Sequence, residues 1–190
     1  MMKRIFQRFS RLLNERIAGR VPTTEDSVRY TFFCATRLPP AAVILEEFHS
    51  KRKEERRRID AILLTADGQR IAVEFKYHKS LRTGGPRPRP LQAGTILSDI
   101  GRLHRYRAAD DKYLVYVTDQ EMARYMRSPR NGLVDLFEVP NGKVRITPRL
   151  MAEKCPTFVK YAGKAFCADV TLAYRDCLQG DFELRIWKVR

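Results

Sequence analysis

Residues 59–79 read Ile-Asp-Ala-Ile-Leu-Leu-Thr-Ala-Asp-Gly-Gln-Arg-Ile-Ala-Val-Glu-Phe-Lys-Tyr-His-Lys, and this stretch decides the fold. Its two apolar runs, 59–64 and 71–77, have the length and side-chain content of β-strands. Between them lies Ala-Asp-Gly at 66–68, which is a turn signal because glycine tolerates positive φ. The sequence therefore predicts a β-hairpin.

Three charged residues lie inside this otherwise apolar hairpin. Asp60 opens the first run, and Glu74 and Lys76 lie in the second. Because strand side chains alternate between faces, Glu74 and Lys76 share one face. If that face were solvated, the pair would be ordinary surface charges. If it is buried, as the apolar neighbours on that face indicate, the charges need compensation, which a divalent metal beside a lysine would supply.

Asp60 joins that face in only one of two registers. A two-residue turn would pair Ala61 with Glu74 and place Asp60 on the opposite face. A three-residue loop with Gly68 in the left-handed conformation would instead pair Asp60 with Glu74. Since a one-residue change of register reverses every side chain, the two alternatives exclude each other. We predict the three-residue loop, with a bulge at Gly68.

Asp60 together with Glu74-Phe75-Lys76 resembles the motif of the restriction-endonuclease-like, or PD-(D/E)xK, nuclease superfamily. In that family an acid opens the second strand of the core, and Glu/Asp-x-Lys lies in the third. The order of predicted elements over residues 22–118 is similar, although Ile59 stands where the family name has a proline. The resemblance implies an α/β (α+β) fold, with a mixed central sheet flanked by helices and extra C-terminal β-hairpins.

The resemblance also implies metal-dependent hydrolysis of phosphodiester bonds, by an endonuclease acting on DNA rather than RNA. Asp60 and Glu74 would hold Mg²⁺ or Mn²⁺, with the backbone carbonyl of Phe75 as a further ligand. Carboxylates suit such hard cations, which polarise a phosphoryl oxygen and acidify a bound water. Lys76 would position or deprotonate that water, or stabilise charge on the phosphorane, and the sequence leaves these roles open.

Glu25 is a further candidate catalytic residue. Thr23-Thr24-Glu25-Asp26 is predicted to begin a helix that runs to about Leu38, with a threonine cap and an acid three residues later forming a capping box. A first-turn acid favours the helix dipole without any catalytic role. The superfamily, however, often places an active-site glutamate on this helix, and both interpretations stay open.

Two basic segments flank the predicted hairpin. The first, at 51–58, is predicted to be a hairpin tip, and the second, at 80–94, a loop rich in proline and glycine. Both are either solvated surface or binding sites for nucleic-acid phosphates. We predict such contacts from the basic residues of these segments, namely Lys51, Arg52, Lys53, Arg56, Arg57, Arg58, Lys79, Arg82, Arg87 and Arg89.

The other elements are predicted from hydrophobic periodicity. We expect an amphipathic helix within 1–20 that packs on the domain, with a membrane-surface or nucleic-acid arm as the alternative. We also expect a strand over 43–48, a helix over 95–107 and a strand over 112–118. In the helix over 95–107, Ile96, Ile100 and Leu103 should point inward, and Arg102 and Arg105 outward. Residues 119–190 are predicted to be a mostly β extension, with a short helix over 119–126 and hairpins over 134–147 and 169–189.

Composition limits the functional classes. At 190 residues the chain is most simply one nuclease-like domain, and 37 lysines and arginines against 22 acids give a net charge of +15. Such a charge favours a polyanionic partner, so the alternatives to a nuclease are a catalytically inactive nucleic-acid-binding module and a basic ribonucleoprotein-associated protein. No apolar run could span a membrane, and four cysteines without metal-binding spacing suit the reducing cytoplasm. A homodimer is a further expectation, because nucleases that cut both strands are often two-fold dimers.

Overall fold

The computed structural model describes residues 1–48, 58–79, 88–139 and 142–190. Within these ranges it contains seven α-helices and seven β-strands. They are α1 (Met2–Ala18), α2 (Glu25–Thr36), β1 (Val43–Phe48), β2 (Arg58–Leu64), β3 (Arg70–His78), α3 (Arg89–Arg105), β4 (Asp111–Asp119), α4 (Gln120–Arg127), α5 (Val134–Glu138), β5 (Lys143–Ile146), α6 (Pro148–Ala152), α7 (Pro156–Ala162), β6 (Ala168–Leu178) and β7 (Phe182–Val189).

The seven strands form one mixed sheet in the order β1-β2-β3-β4-β7-β6-β5. Neighbouring strands are antiparallel except β3 and β4, which are parallel and are connected through α3. Parallel neighbours require such a crossover, which the strand–helix–strand pattern of the sequence predicted. The α+β class and the mixed sheet are confirmed.

The sheet has a hydrophobic core on each face. On one face α1 and α2 pack against the sheet, and Phe9 and Phe32 lie edge to face, as do Phe32 and Phe75. On the other face the apolar residues of α3 and of the later helices pack against Tyr116 and Trp187. The apolar stripe of α1 is therefore buried in the fold, which confirms the packed helix that we expected for the N-terminal segment.

The hairpin of β2 and β3 has the predicted register. Ala61 pairs with Val73, and Leu64 with Arg70, which is the register of a three-residue loop. The Thr65 amide donates to the Gln69 carbonyl at 3.0 Å and closes that loop. Gly68 has a φ of 81°, so the positive φ that the loop requires falls on the residue that tolerates it.

The two strands separate beyond Ala61 and Val73, and we call this point the fork. The residue pairs of the β2–β3 ladder run from Leu64 and Arg70 only as far as Ala61 and Val73. Past the fork β2 stays paired with β1, and β3 continues beside β4 as far as His78. Asp60, Glu74 and Lys76 all lie just beyond the fork.

The helix α3 begins earlier than predicted, so the predicted loop over 80–94 is wrong from Arg89 onward. Pro90 suits a first helical turn, where the amide that proline lacks would have no intrahelical partner. Gly94 lies where α7 crosses closely, since a Cβ there would stand 2.6 Å from the Phe158 carbonyl oxygen. This glycine therefore serves helix packing rather than a loop. Residues 80–87 of the predicted loop lie outside the described residues.

The predicted strand over 134–139 is also wrong, because this segment forms α5. Leu136 and Phe137 are both buried in one core, whereas neighbouring residues of a strand would point to opposite faces. The strand β5 pairs with β6 rather than with this segment. The hairpin of β6 and β7 is confirmed and extends the sheet. Helices α4 to α7 alternate with these strands, so residues 119–190 are not the mostly β extension that we expected.

Candidate active site

Charged side chains from four elements surround the fork. They come from α2, β2, β3 and α3, and we call them the fork cluster. Its members are Glu25, Arg29, Asp60, Glu74, Lys76, Asp99 and Arg102. Asp60, Glu74, Lys76 and Glu25 are the predicted site residues, and Arg29, Asp99 and Arg102 are additions from the structure.

Asp60 takes the place of a missing ladder bond at the fork. Its Oδ2 accepts a hydrogen bond from the Phe75 amide at 2.8 Å, and its Oδ1 lies 3.2 Å from Nη2 of Arg29. The amide and carbonyl of one strand residue point to the same side, so the Phe75 carbonyl faces the side of β3 that β2 has left. The carboxylate and the predicted carbonyl ligand therefore lie on one side of β3.

Glu25 lies at the same edge of β3. Its Oε2 accepts a hydrogen bond from the Tyr77 amide at 3.2 Å and lies 3.6 Å from Nζ of Lys76. It is the first residue of α2, which Thr24 caps in a capping box with Ser27, so the predicted box between Thr23 and Asp26 is wrong. Glu25 is therefore both a first-turn acid of α2 and, through its contacts with Tyr77 and Lys76, a member of the fork cluster.

Glu74 is completely buried and forms a two-pronged ion pair with Arg102. Nε and Nη2 of Arg102 donate to the two carboxylate oxygens of Glu74 at 2.6 and 2.7 Å. The expected outward orientation of Arg102 is therefore wrong. The reason is that the buried carboxylate needs a cation, and the long arginine side chain at the margin of the apolar stripe of α3 can reach it.

Asp99 connects the two cations of the cluster. Its Oδ1 accepts a hydrogen bond from Nη2 of Arg102 at 2.7 Å, and its Oδ2 lies 3.2 Å from Nζ of Lys76. Apart from this ion pair, Oδ2 has no hydrogen-bond partner among the described residues. Asp99 is only 4% exposed, so solvent does not replace these partners.

Burial controls the protonation of the cluster. It raises the pKa of Glu74 well above the ordinary glutamate value, with Arg102 opposing the shift and Asp60 adding to it. Burial likewise raises the pKa of Asp99 and of Glu25, against the effect of Lys76. For Lys76 burial lowers the pKa, but Asp99 and Glu25 more than offset this, so the net shift is upward. The contacts of Lys76 and Arg102 with these acids place Glu25, Glu74 and Asp99 in one region.

The residues at the fork fit a hard divalent cation in their chemistry. The candidate ligands Asp60 and Glu74 and the Phe75 carbonyl offer only oxygen, which Mg²⁺ and Mn²⁺ prefer. Arg29 and Arg102 now balance the two acids, but a carboxylate has about four lone-pair sites and can accept a cation as well. No group of three or more His, Cys, Asp and Glu side chains in the described ranges is arranged to hold a metal ion.

Three of the predicted phosphate-binding residues are described. Arg58, which begins β2, and Lys79, which follows β3, are both exposed. Arg89, the first residue of α3, forms an ion pair with Glu121 of α4. The other predicted contacts lie outside the described residues, namely Lys51, Arg52, Lys53, Arg56, Arg57, Arg82 and Arg87.

A sequence signal for Asp99 exists but is easily overlooked. Asp99 follows Ile96 by three residues and precedes Leu103 by four, so it lies on the apolar stripe of α3. A charged residue in such a stripe indicates a buried partner on the element that the stripe covers. The pair Asp99 and Arg102, three residues apart, could have been matched to Glu74 and Lys76 in this way.

No family model, no curated protein and no solved structure matches this chain. No helix among the described residues has the length and apolar character to cross a membrane. All four cysteines are exposed and free of disulfides. The functional interpretation therefore rests on the residues of the fork.

Proposed function

We propose that this chain is a metal-dependent nuclease that hydrolyses phosphodiester bonds in DNA as an endonuclease. The observation that carries the proposal is the convergence of Asp60, Glu74, Lys76 and Glu25 at the fork from three different elements. Ion pairs that only stabilise a fold do not require two carboxylates to accept the amides of β3 at a point where the sheet opens. Clustered acids with raised pKa values, beside a lysine, are typical of catalytic sites.

In this proposal Asp60, Glu74 and the Phe75 carbonyl hold Mg²⁺ or Mn²⁺. The bound cation would polarise a phosphoryl oxygen and lower the pKa of a water. Lys76 lies within 3.2 and 3.6 Å of two carboxylates, an environment that favours the ammonium form. We therefore assign Lys76 to stabilising the negative charge that develops on the phosphate, rather than to deprotonating the water.

The charge of the chain supports a nucleic-acid substrate. The net charge is +15, and Arg58 and Lys79 are exposed on the two strands that form the fork or directly after them. Exposed cations attract the phosphate backbone, and each phosphate that they neutralise releases counterions. Binding should therefore weaken steeply with salt, while the acids at the fork confine the chemistry to one place.

A second candidate, a catalytically inactive nucleic-acid-binding module, is favoured by one specific observation. Arg102 already binds both oxygens of Glu74, and Arg29 already pairs with Asp60. If these pairs persist when metal is supplied, the acids serve the fold alone. Both candidates should bind nucleic acid, but only the nuclease should cleave it.

The test is incubation of the purified chain with supercoiled plasmid DNA and with a structured RNA, in Mg²⁺, in Mn²⁺ and in a chelator. We expect metal-dependent nicking or linearisation of the plasmid by the wild type and by Asp111→Asn, a control that breaks an ion pair with Lys188 elsewhere on the sheet. Glu74→Ala should be inactive. Binding of DNA without cleavage under any metal would support the inactive module instead.

A further inference from the structure

The helix α3 contributes a group to the fork that neither the motif nor the predicted site contains. Asp99 is buried, and its carboxylate lies between two cations. One oxygen is held by Arg102, and the other faces Lys76. Since Arg102 also binds Glu74, the chain of contacts Glu74–Arg102–Asp99–Lys76 links two charged residues of β3 to one helix.

The two oxygens of Asp99 are not equivalent. Oδ1 is satisfied by a hydrogen bond of 2.7 Å, whereas Oδ2 has only the Lys76 ammonium as a partner among the described residues. A buried carboxylate oxygen without compensation is costly, so the contact constrains both side chains. The other acid near the ammonium, Glu25, is farther away at 3.6 Å and more exposed, at 36% of its side chain against 6% for Asp99.

We propose that Asp99 is a positioning residue that fixes the ammonium of Lys76 at the fork. This inference rests on the proposed function, in which Lys76 stabilises charge on the phosphate. Asp99 does not touch substrate, because it lies beneath Lys76 in the interface between α3 and the sheet. Its charge holds Lys76 on the α3 side of β3, and Arg102 keeps the Asp99 carboxylate itself in place.

The experiment compares the wild type with Asp99→Asn, which keeps the shape and the acceptor for Arg102 but removes the charge. The first readout is the ¹H–¹⁵N correlation of the lysine ammonium groups, which is visible only where an ion pair slows proton exchange. We expect the Lys76 signal to be lost in Asp99→Asn. The matched control, Asp111→Asn, should lose the signal of Lys188 and keep that of Lys76.

The second readout is cleavage under conditions in which both proteins are folded. We expect kcat of Asp99→Asn to fall by about 10- to 100-fold, since misplacing a catalytic group by about 1 Å has an effect of this size. KM for the nucleic acid and the affinity for Mn²⁺ should not change, because neither ligand contacts Asp99. Asp99→Glu, which restores the charge one methylene away, should recover part of kcat.

A Lys76 signal that persists in Asp99→Asn overturns the positioning role, whatever the activity. An unchanged kcat overturns it as well, because a residue that only stabilises the fold would alter the melting temperature alone. If Asp99→Asn does not fold, Asp99→Glu, which keeps the charge that faces Arg102, is used for the same NMR measurement, and a Lys76 signal identical to that of the wild type then overturns the positioning role. A wild type without activity, combined with loss of the Lys76 signal in the variant, overturns the proposed function and leaves the Asp99–Lys76 contact standing.

Discussion

The fork cluster and a second group of charges, on β7 and the helices α4 and α5, show two ways to keep ions inside a protein. The second group, which we call the α5 cluster, consists of Arg127, Glu138, Glu183 and Arg185. In it two acids face two arginines: Arg127 binds both oxygens of Glu183 at 2.6 Å and one oxygen of Glu138 at 2.7 Å. Both arginines of the α5 cluster therefore contact both of its acids.

The α5 cluster is also supported by an aromatic ring. Arg185 lies 3.8 Å from the centre of the Phe137 ring and donates to the Phe137 carbonyl at 2.8 Å. Burial raises the pKa of Glu183, but the hydrogen bonds and charges of Arg127 and Arg185 outweigh it, so the net shift is downward. The acid is stabilised in its charged form, as expected of an ion pair that belongs to the fold.

The fork cluster differs in its charge balance and in the direction of its pKa shifts. It holds four carboxylates against three cations, and burial raises the pKa of Glu74, Asp99 and Glu25. Two of its acids accept hydrogen bonds from backbone amides of β3. An excess of acid at an opening in the sheet is costly for stability, and such costs are typical of functional sites. The number of ion pairs alone would not separate the two clusters.

The largest expected effect separates the clusters by activity. Asp60→Ala, Glu74→Ala and Lys76→Ala should each reduce cleavage of plasmid DNA by about 10³-fold or more, since each removes a group that stabilises the transition state. The measurement is the initial rate of nicking in saturating Mg²⁺. Glu183→Gln in the α5 cluster should cleave at the wild-type rate when it is assayed well below its melting temperature. Equal losses in both clusters would remove the functional distinction between them.

A smaller effect separates the clusters by stability. Arg102→Met leaves the Glu74 carboxylate buried without its cation, which should lower the free energy of unfolding by roughly 3 kcal/mol in the absence of metal. Arg127→Gln should cost about 1 kcal/mol or less, because Arg127 is 39% exposed and Arg185 still faces both acids. Urea denaturation at neutral pH measures both values. If Arg127→Gln lowers the free energy of unfolding more than Arg102→Met does, the claim that the fork holds the more costly buried charge is contradicted.

The smallest expected effect is that a rise in pH changes the stability of variants at Asp99 and at Glu183, relative to the wild type, in opposite directions. The pKa of Asp99 lies above its ordinary value in the folded protein, so its contribution to stability is present at acid pH and is lost as the pH rises through the raised pKa. Asp99→Asn should therefore gain stability relative to the wild type as the pH rises.

Glu183 behaves in the opposite way, because its folded pKa is lowered. Its contribution is present above the unfolded pKa and is lost as the pH falls, so Glu183→Gln should approach wild-type stability on acidification. Melting temperatures of the wild type and the two variants between pH 4 and pH 8 give the comparison. Parallel curves for the two variants would show that the two acids experience similar environments.

Much of the fork could be predicted from local sequence. The Ala-Asp-Gly turn and the alternation of β3 leave two registers, and the nuclease motif selects the three-residue loop, whose register the structure has. The point where β2 separates from β3 could not be predicted, because no residue type in either strand marks the end of the ladder. The inward orientation of Arg102 was missed. Helical periodicity predicts which residues of α3 form its apolar stripe, but it does not predict how far a long side chain at the margin of that stripe reaches.

The errors outside the fork have similar physical causes. The run over 134–139 is apolar and short, and periodicity does not distinguish a strand from a helix at that length. Gly94 resembles a loop residue until the close approach of α7 is known. In both cases a tertiary contact between distant segments decides the local structure, and a single sequence does not record that contact.

The central claim is that the fork cluster, unlike the α5 cluster, takes up a divalent cation. Titration of the protein with Mn²⁺, followed by electron paramagnetic resonance of the free ion, tests this without any choice of substrate. We expect binding by the wild type, by Lys76→Ala and by Glu183→Gln, and loss of binding in Asp60→Ala and Glu74→Ala. Binding by Glu74→Ala with the affinity of the wild type would contradict the account, since the cation would then lie elsewhere.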